Sequence, residues 1–391
     1  MNGSRMMVVT RKELTDAFRD RRAIYTIVFS TLIGPLMIAF LFNRLAGEER
    51  AAQDIQIPVA GRELAPVLIQ WLEQQPGVEI VPGPSDPEKA VRDRTEDLVL
   101  VIEKEFAEKF RDSRPAPVQV VSDSTRQATR SKVKRLNSLL NGFSAQTGSL
   151  RLIARGVSPE VASALKVKEV EVSSAQQRAA TIFNFIPMYM ILAAFLAGMQ
   201  IATDSTAGER ERGSLEPLLL NPVPRWQLVG GKWLAAVAAA LIGMVASLAF
   251  MSVVLSRLSV EDLGVRYQMD NQLRLMLLAA VAPMAFVSPA IQMTVSCFAK
   301  SFKEAQSYMS FLVLAVVIPG VLSTFYPLSN RPWLRPVPIL GQYTLGMEIM
   351  SGKAPSPVVM IAAAVAALAV AGLLLWVATR LFSDEKIIFG R

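Results

Sequence analysis

Six long stretches without a charged side chain constrain this sequence more than any other feature. Each is 21–26 residues long, and they cover residues 23–43, 179–203, 233–256, 275–299, 305–330 and 354–379. A helix needs about 20 predominantly apolar residues to cross the hydrocarbon core of a bilayer. Helices of soluble proteins usually keep a polar face. The sequence therefore predicts six transmembrane helices and excludes a fold that is soluble throughout.

The basic residues that flank these stretches predict the orientation of the chain. Fifteen Lys and Arg residues lie in segments 1–22, 204–232, 300–304 and 380–391, whereas the loops 257–274 and 331–353 hold six. Short loops rich in Lys and Arg stay in the cytosol. Both termini are therefore expected there, with residues 44–178 on the other side. The net charge of +8 follows from this asymmetry, so we expect no nucleic-acid partner.

Residues 44–178 are the one large insertion between the predicted spans, and their 20 basic and 19 acidic residues nearly balance. About 135 residues can bury a core of their own. Patterns typical of strands occur at 55–60, 78–81, 98–102, 117–121 and 166–172. Helical patterns occur at 63–74, 104–111 and 124–155. We predict an α-helical polytopic membrane protein with six transmembrane helices and an inserted α/β extracytoplasmic domain.

Two shorter segments have patterns of their own. In residues 1–22, Met7, Leu14 and Phe18 can share one face of a helix, which is typical of an amphipathic helix in the cytosolic membrane interface. A plain basic flank explains the composition equally well. Residues 336–347 are uncharged but too short to cross a bilayer. This piece either enters the membrane and returns, or lies on its surface.

Histidine, the usual general base and the commonest metal ligand, is missing, which leaves only Ser–Lys or carboxylate schemes for a hydrolase. The chain has no histidine and one cysteine, Cys297, so a histidine base, an intrachain disulfide and a zinc finger are excluded. The nearest match to a phosphate-binding loop, residues 208–214, lacks the lysine and follows an apolar span instead of a strand. We expect no catalytic site, no metal site and no cofactor bound by this chain.

Uncharged polar side chains do occur within the predicted spans. They include Asn184, Gln200, Ser288, Gln292 and Thr294. In lipid such groups need hydrogen-bond partners. They either join neighbouring helices or line a path for a substrate, and the sequence leaves both interpretations open.

The connection between the second and third spans, residues 204–232, is the most informative segment. Charges alternate along 209–212, and Gly213 with Ser214 predicts a break and an N-cap for a helix at 215–220. Pro222 and Pro224 would end that helix. The segment is either a solvated loop or a docking surface on which charges select a cytosolic partner and leucines anchor it.

This segment resembles the signature of ABC-2-type exporter permeases. In that signature an acidic-basic pair precedes G-[ST]-x-E-x-L-L, a proline turn and G-K before the next span. Ser214 stands where threonine is more familiar, and Pro217 departs from the pattern. By this resemblance the residues that couple to an ATPase partner are Glu209, Arg210, Glu211, Gly213, Ser214, Glu216, Leu218, Leu219, Pro222, Gly231 and Lys232.

The wider layout resembles the NatB-like, sodium-efflux subgroup of this family, with a large outer domain after the first span and a similar C-terminal end at 382–390. The resemblance implies two permease chains paired with two cytosolic ATP-binding subunits, which would bind ATP and Mg²⁺. It implies the bacterial inner membrane and export. The two permease chains could be identical or different. The substrate is either sodium or another small cation, or a lipid, peptide or drug. The alternative is a membrane-anchored sensor or assembly scaffold whose outer domain binds a partner.

Overall fold

A computed structural model describes residues 2–123, 127–162, 183–257, 269–323, 325–326, 328 and 331–383. These residues form two compact units. One comprises Met1–Phe40 and Ser173–Arg391, and the other comprises Leu41–Val172.

The described part of the chain contains fourteen α-helices of six or more residues and four strands. In order they are α1 (Asn2–Arg19), α2 (Arg21–Gln53), β1 (Ile55–Ala60), α3 (Pro66–Glu73), β2 (Val78–Pro82), α4 (Pro87–Arg92), β3 (Leu98–Ile102), α5 (Phe106–Arg111), β4 (Val118–Ser122), α6 (Gln127–Ala154), α7 (Ile186–Thr203), α8 (Leu215–Leu220), α9 (Arg225–Arg257), α10 (Asn271–Val281), α11 (Pro283–Ser296), α12 (Phe302–Ser323), α13 (Leu340–Met350) and α14 (Pro357–Leu381).

Six helical segments among the described residues are long and apolar enough to cross a membrane, as the sequence predicted. They are Ala23–Arg44, Ile186–Glu211, Arg225–Arg257, Asn271–Ser296, Phe302–Ser323 and Pro357–Leu381. Polar caps mark where two of them begin. The Asp270 carboxylate accepts a hydrogen bond from the Leu273 N–H at 2.7 Å, and the Ser356 hydroxyl accepts one from the Val359 N–H at 3.4 Å.

The fourth of these segments consists of two helices, α10 and α11, which meet at Ala282. Pro283 opens α11, and proline has no N–H to donate to the preceding turn. Pro289 and Pro319, in contrast, lie inside α11 and α12 without ending them. The position of a proline in the sequence therefore does not by itself predict a break.

Helix α7 is the centre of the membrane-spanning unit. Its most apolar window is 83% buried, against 17% for that of α14. It packs against α9, α11, α12 and α13. Small residues allow a close approach to α9, since a Cβ atom at Gly243 would lie 2.5 Å from the Cβ of Ala197 and 3.0 Å from the carbonyl oxygen of Ala193.

This close contact yields a prediction for Gly243→Leu. The added side chain cannot fit between α7 and α9, and overpacking of a tight contact typically costs about 1–3 kcal/mol. We expect a lower apparent melting temperature of the detergent-purified protein. Gly372→Leu is the matched control, because a Cβ atom at Gly372 meets nothing within 4 Å. Equal melting temperatures for the two variants would contradict the packing of α7 on α9.

Residues 336–347, predicted either to enter the membrane or to lie on its surface, fall mostly within α13. Tyr343 is 1% exposed. A Cβ atom at Gly346 would lie 2.6 Å from the Cβ of Pro187, and α13 also packs against α10. Its residues are thus buried among other helices, and whether the segment enters the membrane or lies on its surface stays a prediction.

The second unit is built on a four-stranded sheet with the order β2-β1-β3-β4. Strand β1 pairs in parallel with both β2 and β3, and β3 pairs antiparallel with β4. Apolar side chains of β1 and β3 pack against α3, α5 and α6, forming a core that includes Ile57, Leu72, Leu100, Phe106 and Leu136.

The predicted strands 55–60, 78–81, 98–102 and 117–121 agree with β1 to β4 within one residue at each end. The predicted helix 63–74 begins later, at Pro66, because Arg62–Leu64 forms a 3₁₀ turn. The predicted helices 104–111 and 124–155 correspond to α5 and α6. The predicted strand at 166–172 lies outside the described residues.

Candidate functional site

The connection between α7 and α9 begins as a continuation of α7. A π-helical turn, Asp204–Gly208, and a last helical turn, Glu209–Glu211, extend that helix. The chain then reverses at Gly213, whose φ of 67° is in the left-handed region that favours glycine. The N–H groups of Gly213 and Ser214 donate to the carbonyl oxygens of Arg210 and Glu209, both at 3.0 Å. Gly213 therefore ends the helix, as its place in the motif predicts.

The predicted role of Ser214 as a side-chain cap of α8 is wrong. Its hydroxyl donates to the carbonyl oxygen of Glu209 at 3.2 Å, and it makes no cap hydrogen bond to α8. The backbone of Ser214 is helical rather than extended, and an N-cap side chain usually needs an extended backbone. The hydroxyl therefore reinforces the turn at the end of the preceding helix.

Four charged side chains meet where α1, α9 and the end of the α7 extension come together, and we name Lys12, Glu13, Glu209 and Lys232 the charge cluster. The Lys232 Nζ lies 2.7 Å from Glu209 Oε2 and 2.8 Å from Glu13 Oε1. The Lys12 Nζ lies 2.9 Å from Glu209 Oε1 and 3.1 Å from Glu13 Oε1. Each lysine thus contacts both carboxylates.

Three of the four members of the charge cluster are almost entirely removed from water. The Lys232 side chain is 0% exposed and the two glutamates are each 7% exposed, whereas Lys12 is 50% exposed. Burying a lone charge is expensive, but two positive and two negative groups compensate one another here. Burial acts to lower the pKa of Lys12, but the hydrogen bonds to Glu209 and Glu13 and their negative charges outweigh it, so this pKa is raised.

The helices that span the membrane are longer than the uncharged stretches, so charged residues lie within their ends. A contact with an ATPase partner stays a prediction for Glu209 and Lys232, whose side chains are 7% and 0% exposed. They are positioning residues that join three helices.

A close contact next to the charge cluster holds α1 against α9. The Thr10 hydroxyl donates to the Gly231 carbonyl oxygen at 3.1 Å. A Cβ atom at Gly231 would lie 2.7 Å from the Cβ of Val9. The absence of a side chain at Gly231 therefore allows α1 to approach α9 closely, and the ion pair of Lys232 with Glu13 holds the two helices together. Met7 and Phe18, on another face of α1, are 59% and 58% exposed.

The other charged side chains at the end of the α7 extension make hydrogen bonds to residues near α11 and α12 and within the extension itself. Arg210 donates to the Cys297 carbonyl oxygen at 3.0 Å, and a Glu211 carboxylate oxygen accepts from the Phe302 N–H at 2.7 Å, at the start of α12. Arg212 makes two hydrogen bonds to the Asp204 carboxylate, at 2.8 and 3.1 Å. These hydrogen bonds raise the pKa of Arg212.

Helix α8 has a packed side and an open side. Leu215 is 5% exposed and belongs to a core shared with α7 and α9, and Leu218 packs partly against it. Leu220 is 86% exposed, and Pro217, Asn221 and Pro222 are exposed as well. The side chains of Glu216 and Leu219 lie outside the described part of the chain. The exposed set forms an apolar surface, Pro217, Leu220 and Pro222, which we name the α8 surface.

The five polar residues predicted for a substrate path do not share one set of contacts. Gln292 is 0% exposed and donates to the Phe195 carbonyl oxygen at 2.7 Å, and Thr294 donates to that of Leu374 at 3.1 Å. Gln200 accepts from Gln306 at 3.3 Å. These three hydrogen bonds join neighbouring helices, which favours the structural interpretation for them.

The other two residues of this set contain buried oxygen atoms without a hydrogen-bond partner among the described residues. These atoms are Asn184 Oδ1 and Ser288 Oγ. The Oε1 atom of Gln292 is likewise buried without such a partner. Ser288 and Gln292 lie one turn apart on α11. A role of these residues in a substrate path stays a prediction. Within the described ranges, no group of three or more Cys, Asp or Glu residues could hold a metal ion.

Residues 24–381 match the family described as ABC-2 family transporter protein. The chain therefore belongs to this family, and it is a permease subunit of an ABC transporter with several membrane spans. Over 328 residues it is 27% identical to the ABC transporter permease protein NatB of Bacillus subtilis (strain 168), covering 83% of each chain. The resemblance drawn from the motif at 209–232 is thus confirmed, and family membership implies an ATP-binding partner subunit.

Proposed function

We propose that the α8 surface is the docking site of the ATP-binding subunit and that the charge cluster transmits its movement to the spans. The observation that carries this proposal is the connection of α8 to three helices through buried contacts. Leu215 packs into the core of α7 and α9, and the Gly213 turn joins α8 directly to Glu209. A force on α8 therefore acts on α1, α7 and α9 together.

Movement of these three helices as one body is the mechanism that this geometry supports. Glu209 belongs to the extension of α7, Lys232 to α9 and Glu13 to α1, and the ion pairs between them are shorter than 3 Å. Separating them would leave charges buried without partners, which costs several kcal/mol. Rocking of intact helix groups is a common way to alternate between two access states.

The wider assembly follows from this assignment and from the distribution of charge. We place the chain in a bacterial inner membrane with both termini in the cytosol and residues 44–178 outside it. Two permease chains would pair with two ATP-binding subunits, which would bind ATP and Mg²⁺. The permease would then act as an exporter without an active site of its own.

The substrate is either a small cation such as sodium or an amphipathic molecule such as a lipid, peptide or drug. Away from their ends the spans contain amide and hydroxyl oxygens but no carboxylate. Such oxygens can serve as ligands of a cation, and an uncharged path equally suits an amphipathic molecule. Transport assays with ²²Na⁺ and with fluorescent lipids in proteoliposomes distinguish the two classes.

Purification of the tagged chain from native membranes tests the proposed function. We expect an ATP-binding subunit to copurify in equal amount and the complex to hydrolyse ATP. The ATPase activity of the complex should respond to the transported substrate in proteoliposomes. A chain that purifies alone, without ATP hydrolysis, would contradict the proposal and support the sensor or scaffold alternative.

A further inference from the structure

The second unit contains an open groove between α5, the turn before β4 and the C-terminal half of α6. Its volume is about 700 Å³, within the range of sites for small molecules. Apolar side chains form its floor, among them Phe106, Phe110, Phe143 and Leu152. The rings of Phe106 and Phe110 stack at 5.4 Å, and those of Phe110 and Phe143 at 6.1 Å. The floor is therefore aromatic and continuous.

The polar part of the groove carries charge of one sign. Arg114, Arg151 and Arg155 line it, and the described lining residues include no Asp or Glu. Arg151 is held in place, because its guanidinium lies 4.7 Å from the centre of the Phe110 ring and donates to the Phe110 carbonyl oxygen at 2.7 Å. Arg114 and Arg155 are exposed, and their side chains make no hydrogen bond or ion pair with another described residue.

We propose that this groove binds an amphipathic anion with an acyl chain, either a free fatty acid or a lipid with a single chain and a phosphate head group. An aromatic floor beside three guanidinium groups matches an apolar tail attached to one anionic head. Guanidinium groups pair well with carboxylate and phosphate. Binding here does not depend on the α8 surface or on ATP.

Photolabelling of the full chain tests this site. The permease is placed in phosphatidylcholine nanodiscs and exposed to palmitic acid that carries a diazirine on its chain. We expect labelled peptides within residues 106–155. Unlabelled palmitate or lysophosphatidate should abolish this labelling, whereas the neutral hexadecanol should not. The more effective of the two anions identifies the head group as carboxylate or phosphate.

Two variants remove the site in different ways. Arg114→Gln with Arg155→Gln should lower labelling in 106–155 at least about tenfold, as expected for the loss of hydrogen bonds to charged groups. Gly148→Trp should fill the groove, because Gly148 lines it and a Cβ atom there meets nothing within 4 Å. The controls are Arg62→Gln with Arg92→Gln, at exposed positions outside the groove, and Leu150→Trp, on an exposed position of α6.

The proposal is overturned by an absence of labelling within 106–155 in the parent protein. Equal competition by hexadecanol would also overturn it, because the arginines would then have no role. Loss of labelling in the controls as well would show that the effect is not specific to the groove. Unchanged gel-filtration profiles of all variants confirm that the second unit is intact.

Discussion

Replacing Lys232 by methionine is expected to destabilise the permease strongly. Methionine has a similar length but no charge, so Glu13 and Glu209 would keep only the half-exposed Lys12 as a partner. Removing one member of a buried ion pair typically costs about 3–5 kcal/mol. We expect the apparent melting temperature, measured by gel filtration after heating in detergent, to fall by at least about 6 °C.

Lys303→Met is the matched control, because Lys303 is exposed near the start of α12. Its melting temperature should stay near that of the parent protein, since surface substitutions usually change stability by about 0.5 kcal/mol or less. The melting temperature of the double variant Glu13→Gln with Lys232→Met should fall by less than the sum of the falls in the two single variants, because both changes act on one ion pair. A stable Lys232→Met protein would contradict the burial of the charge cluster.

The second large effect is expected at the α8 surface, from Leu220→Glu. Leu220 is 86% exposed, so the change leaves the fold of the free permease intact. In the complex, a glutamate at the centre of an apolar contact would bury an unpaired charge. The loss of an anchoring side chain at an interface typically costs at least about 2 kcal/mol, or roughly a 30-fold loss of affinity. We expect the ATP-binding subunit to be lost during purification and ATP hydrolysis with it.

Val161→Glu is the control for this experiment. Val161 is 76% exposed and lies in the second unit, away from the α8 surface along the chain. Its complex should purify as the parent complex does. If Leu220→Glu retains its partner at an unchanged melting temperature, α8 is not the docking site, whereas a lowered melting temperature would show that Leu220 supports the fold instead.

Local patterns predicted most of the fold. Uncharged runs predicted the six spans, and alternating apolar residues predicted β1 to β4, because both depend on the spacing of neighbouring residues. The charge cluster could not be predicted in this way. Glu13 and Lys232 are 219 positions apart, and the one local sign is a glutamate on the same face of α1 as Thr10 and Ala17. The Ser214 cap was mispredicted because the turn at Gly213 places Ser214 in a helical backbone conformation.

The distance along the chain between Glu13 and Lys232 has a consequence for biogenesis. A ribosome that adds 5–20 residues per second needs roughly 10–40 s to synthesise the intervening residues. During that time α1 exists without the lysine that neutralises its buried face. Helix α1 can therefore reach its final place only after α9 has been made.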